Sequence, residues 1–210
     1  MISILTNITV LIEIVGVLLL VWAWRAIMPQ QKYLAIYLIS AVAFESLYMI
    51  ADTIDSKYNL LFGNIYSLID VWVLSALYTQ WNKEKTSIFY LFSLVYIIVW
   101  LVFYSINGLY YANGIMHGIE SLVIMLMSFI AYIRYLSTDY KSFKLSISLG
   151  FIFYTCTNIG IMSFSAYLQT LNSEKIALSY YLINLFSNLG LYIFITIGLI
   201  KCRKQSLALL

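Results

Sequence analysis

A chain of 210 residues that is 63% hydrophobic and only 10% charged is excluded from the water-soluble class, whose members carry about 25% charged and about 45–50% apolar residues. Its mean hydropathy of +0.91 makes a lipid bilayer the fitting solvent. The net charge of +3 rests on basic residues confined to loops, so it gives no continuous face for nucleic acid.

A membrane-crossing helix needs about 20 mostly apolar residues. Seven stretches qualify: 4–27, 33–54, 60–81, 87–106, 112–136, 143–168 and 177–201. The expected fold is therefore all-α, a polytopic membrane protein with seven transmembrane helices in one domain, 1–210. The first span carries Glu13, and because MISILTN lacks a basic leader it reads as a retained helix. The second carries Glu45, Tyr48 and Asp52, whose spacing puts them on one face. The third carries Asn64, Ser67 and Asp70. The fourth has only hydroxyls in its interior. The fifth holds the sole histidine, His117, one turn from Glu120 and Ser121. The sixth carries Asn158 near its middle, and the seventh carries Asn184, Ser187 and Asn188. Cys156 and Cys202 fall in different spans and suggest neither a disulfide nor a metal knuckle.

The loops set the orientation. Arg25 and Lys32 follow the first span, Lys83 and Lys85 the third, Arg134, Lys141 and Lys144 the fifth, and Lys201, Arg203 and Lys204 the seventh. The opposite loops hold only Lys57 and Lys175. Positive charge marks the cytoplasmic side, so the N-terminus is expected outside and the C-terminus inside, in a bacterial inner membrane.

Two spans share a pattern. The third begins NIYSLIDVWVL at Asn64 and the seventh NLFSNLGLYIF at Asn184. Glu13 and Arg25 in the first span parallel Glu120 and Arg134 in the fifth, and Glu45 parallels Asn158. The expected plan is two parallel three-helix repeats, 1–82 and 109–210, joined by a linker helix within 83–108.

Ionisable groups inside a bilayer are costly and mark function by default. Here they are Glu13, Glu45, Asp70, His117 and Glu120, with no lysine or arginine at their depth to neutralise them. Each polar stripe must turn away from lipid. The simplest solution is one outward cavity, with Glu13, Glu45, Tyr48, Asn64, Asp70, His117, Glu120, Asn158, Asn184 and Asn188 around it. The expected ligand is small and polar or cationic. A sensor or receptor subunit needs only such a pocket and a cytoplasmic signalling protein as partner; the KCRKQ segment at 201–205 offers a contact for one but reads first as a plain topology anchor. A proton- or cation-coupled transporter is the alternative. A metal-dependent lipid hydrolase is the third reading, with His117, Glu120, Glu13 and Glu45 as ligands of a divalent metal. Zinc hydrolases usually use two or three histidines, and one is present. No catalytic residue and no resident cofactor is assigned.

The motifs NIYSLID at 64–70, FESLY at 44–48 and NLFSNLGLY at 184–192 resemble an uncharacterised family of small seven-helix membrane proteins of Bacteroidetes-type bacteria. That resemblance implies the seven-helix fold along nearly the whole chain and no particular activity. The three-plus-one-plus-three plan is more distantly similar to the sugar-carrier and PQ-loop group. Pro29-Gln30 echoes its dipeptide, but in a loop and without paired helix prolines.

Overall fold

The computed structural model describes residues 14–15, 18, 21, 32–55, 57–82, 86–110, 114–138, 142–170 and 174–207. In lipid every backbone N–H needs an internal partner, which favours uninterrupted helices. The sole proline, Pro29, precedes the first complete helix, so it breaks none of them. Among the described residues the chain forms six such helices: α1 Lys32–Ile54, α2 Lys57–Trp81, α3 Thr86–Asn107, α4 Gly114–Thr138, α5 Phe143–Thr170 and α6 Glu174–Leu207. They correspond to the second to seventh expected spans. Of the first span, only Ile14, Val15, Leu18 and Val21 are described, as helix.

Local chemistry sets several ends. Asp55 Oδ1 accepts from Lys57 N at 3.0 Å, satisfying a donor at the start of α2. Ser142 Oγ accepts from Lys144 N at 3.3 Å and caps α5. Gly108 closes α3 at φ 80° and donates its N–H to Tyr104 O at 2.9 Å. That left-handed conformation suits a residue without Cβ.

Among the described residues, four helical segments are long and apolar enough to cross a membrane: Lys57–Trp81, Ile88–Asn107, Gly114–Thr138 and Leu182–Lys204. The 25 residues of α2 extend about 38 Å at about 1.5 Å per residue, more than the about 30 Å of hydrocarbon. On α3, Leu91, Leu94, Ile98, Leu101, Val102 and Ile106 are exposed, a surface that water would not tolerate and lipid accepts. The chain is a membrane protein.

Neighbouring helices run antiparallel. Ser75 Oγ donates to Phe89 O across α2 and α3, and Lys201 Nζ donates to Ser146 Oγ across α6 and α5, both at 2.8 Å. One half of the bundle is a close-packed aromatic core. There Trp81 meets Tyr78, Tyr135 and Phe143 edge-on, while Tyr78 stacks on Phe89 and meets Phe151 edge-on. Two of its buried tyrosine hydroxyls have partners. Tyr78 Oη pairs with Ser128 Oγ at 2.8 Å, and Tyr135 Oη donates to Trp81 O at 2.6 Å. The same half carries Arg134, Lys144, Lys201, Arg203 and Lys204 at the helix ends. In the opposite half Tyr104 packs on Trp100 and Phe103, and the described side chains also leave a cavity.

Candidate functional site: a carboxylate- and tyrosine-lined cavity

The half of the bundle opposite the basic helix ends holds a cavity of about 260 Å³. That lies just below the about 300–1,000 Å³ typical of drug-sized ligand sites, so it suits a small occupant. Helix periodicity explains how each wall forms. On α2, Gly63, Tyr66 and Asp70 lie three and four residues apart and make one stripe. On α6, Asn184, Asn188 and Tyr192 recur every fourth residue, with Leu185 and Leu191 beside them. The α4 contribution is His117 and Glu120, one turn apart. Tyr37, Ala41 and Tyr48 face the cavity from α1, and Tyr154 from α5.

Asp70 is the most constrained polar group of the wall. It is 5% exposed, and its Oδ1 is buried with no hydrogen-bond partner among the described residues. The phenols of Tyr37, Tyr66 and Tyr154 and the Glu120 carboxylate all lie within electrostatic reach of it. Glu120 is better provided for. His117 Nδ1 lies 3.0 Å from its Oε2, with the imidazole 35% exposed and the carboxylate 12%. With the carboxylate accepting, Nδ1 carries the hydrogen and Nε2 remains for another partner. Among the described residues no lysine or arginine lines the cavity.

The structure brings together Tyr48, Asp70, His117, Glu120, Asn184 and Asn188 of the expected set. Two others lie outside the lining. Asn64 is buried and tied to α3 and the loop after it: Nδ2 donates to Leu109 O at 2.7 Å, and Tyr104 Oη donates to Oδ1. Its backbone carbonyl accepts from Trp100 Nε1 at 2.9 Å. Asn64 is thus a fastener between helices, a common use of polar side chains in lipid. Asn158 is buried one turn from Tyr154 on the same face of α5. Glu45 lies on α1 with its side chain outside the described ones, and Glu13 lies outside the described residues.

The cavity set expected from the sequence includes Tyr48 but not Tyr37, Tyr66, Tyr154 and Tyr192, which the structure adds to the wall. A signal for three of them was present. Tyr66 precedes Asp70 by four, Tyr154 precedes Asn158 by four, and Tyr192 follows Asn188 by four. Each shares the face of a polar residue that must avoid lipid.

For the metal reading, the described residues contain no group of three His, Cys, Asp or Glu side chains arranged to hold an ion. Both cysteines are free, Cys202 buried and Cys156 exposed with its thiol 3.4 Å from Met125 Sδ. No family model, curated protein or solved structure matches the chain.

Proposed function

We propose that this chain is a seven-helix inner-membrane protein, N-terminus outside, that binds a small polar or cationic ligand in an outward cavity and serves as the sensing subunit of a receptor. The observation that carries the reading is the buried Oδ1 of Asp70, which has no hydrogen-bond partner among the described residues and lies in the wall of a cavity of about 260 Å³. A buried polar atom without a hydrogen bond is costly, and its retention in a wall calls for an occupant.

Charge supports the orientation. Arg134, Lys144, Lys201, Arg203 and Lys204 gather at the end away from the cavity, which the positive-inside rule makes cytoplasmic. The aromatic packing around Tyr78, Trp81 and Phe151 between cavity and basic end favours sensing over passage. A ligand that draws the walls together need only shift helices slightly to signal.

Transport is the second reading, and the α5–α6 contact favours it. A Cβ at Gly190 or Gly198 would collide with Phe153 or Ile147, so these helices touch almost backbone to side chain. Small residues let helix backbones approach closely, and small sliding of packed helices is one route of closure around a ligand.

Site-directed labelling tests the outward cavity. In a background without Cys156 and Cys202, Asn188→Cys should react with a membrane-impermeant thiol reagent added outside, and Arg203→Cys only with reagent inside. Reaction of Asn188→Cys only from the Arg203 side refutes the reading. Uptake into vesicles that depends on Asp70 would decide for the transporter.

A further inference from the structure

We infer that the occupant of this cavity is an organic ammonium group, either a small free amine or the head of an aminolipid. The inference rests on the outward-cavity reading and adds the chemistry of the ligand.

Three observations converge. The first is charge: Asp70 and Glu120 face the cavity, and among the described residues no lysine or arginine does. Two carboxylates in one small space within a membrane call for a counter-cation. His117 attends to Glu120 at 3.0 Å, while Asp70 Oδ1 is left without a partner among the described residues. The second is aromatic content. Tyr37, Tyr48, Tyr66, Tyr154 and Tyr192 reach the cavity from four helices. Ring faces attract alkylammonium groups, and aromatic cages are the recurrent solution for quaternary nitrogen. The third concerns the kind of cation. Hard metal ions require about six to eight oxygen ligands at fixed distances. The described residues hold no group of three His, Cys, Asp or Glu side chains arranged for an ion, and Ala41, Leu185 and Leu191 add apolar surface that a bare ion cannot use. An alkylammonium group uses one carboxylate and dry, ring-rich walls together.

Asn184 and Asn188 extend the wall along α6 with groups that both donate and accept. A hydroxyl or phosphate attached to the ammonium by a short linker would meet them.

The test is calorimetric titration of the full chain in phosphatidylglycerol nanodiscs, whose lipid carries no ammonium. The probes are choline, ethanolamine, tetramethylammonium and 3,3-dimethyl-1-butanol, the last being choline with carbon in place of nitrogen. The expected result is binding of at least one ammonium probe about tenfold or more tighter than the neutral alcohol. Asp70→Asn should weaken it about tenfold. Tyr66→Phe, which keeps the ring, should bind like the parent, and Tyr66→Leu should lose about tenfold. Repeating the titration with phosphatidylethanolamine in the disc separates the sources. Competition identifies a lipid head group, and unchanged affinity identifies a soluble amine. If the neutral alcohol binds as tightly as choline, the ammonium assignment is wrong and the cavity stands. If none of the three ammonium probes binds to folded protein, the assignment is also wrong. Labelling at Asn188→Cys then judges the cavity by itself.

Discussion

At Asp70 the chain leaves a carboxylate oxygen buried with no partner among the described residues, whereas at Asn64, less than two turns away, the side chain is bonded on both its nitrogen and its oxygen. The two residues therefore answer differently to substitution. Asn64→Ala strands the Tyr104 hydroxyl and the Leu109 carbonyl and should cost about 1–2 kcal/mol. The check is a lowered unfolding midpoint in detergent. Asp70→Asn removes a poorly satisfied acid and should raise that midpoint in ligand-free protein, by about 1–3 kcal/mol of stability. A stability loss at Asp70→Asn would make it another fastener. The residue types did not reveal this division, because Asn64 and Asp70 read alike as polar groups that must turn inward. What separates them is the neighbour. Tyr104 and Trp100 of α3 reach Asn64, and no described side chain caps Asp70 Oδ1.

Between elements, the closest contact is that of α5 with α6. A Cβ on Gly198 would lie 2.5 Å from Ile147 Cγ1 and 3.2 Å from Phe143 O. Gly198→Ala should push the helices apart and cost about 1–3 kcal/mol. Ile147→Ala should recover part of that loss in the double variant, a coupling that a double-mutant cycle in detergent would measure. A Cβ on Gly118, in α4, would meet nothing within 4 Å among the described residues, so Gly118→Ala should be neutral or gain about 0.4–1 kcal/mol. Helices themselves were largely legible in the sequence, since hydropathy reports the membrane window. The expected 33–54 and 87–106 lie within one residue of the observed Lys32–Ile54 and Thr86–Asn107 at each end. The last helix runs on to Leu207, past the expected 201, because the polar KCRKQ stretch stays helical after leaving the apolar layer. Hydropathy cannot register that continuation. The fourth span was read as a linker with only hydroxyls inside. Its Tyr96, Trp100 and Tyr104 use their polar tips on Ser67 and Asn64, which holds α3 to α2.

Across the whole molecule, the cavity and the basic helix ends lie apart. One half is sealed by rings around Tyr78 and Trp81 and ends in basic residues, and the other opens into a cavity that gathers side chains from five helices. The sequence indicated the polar layer, because acids without nearby bases stand out in an apolar chain. It did not indicate the ring-rich wall, because a tyrosine in a span reads equally well as lipid-facing, interfacial or inward. Only the relative rotation of α1, α2, α5 and α6 decides which. The account depends on Asp70 meeting something other than this chain. A structure of the full chain in a lipid disc, resolved well enough to see an occupant, tests that most directly. We expect density from a non-protein group within hydrogen-bond distance of Asp70 Oδ1, between Tyr66 and Tyr154. A side chain of the protein itself capping Asp70 and filling the cavity would contradict the account.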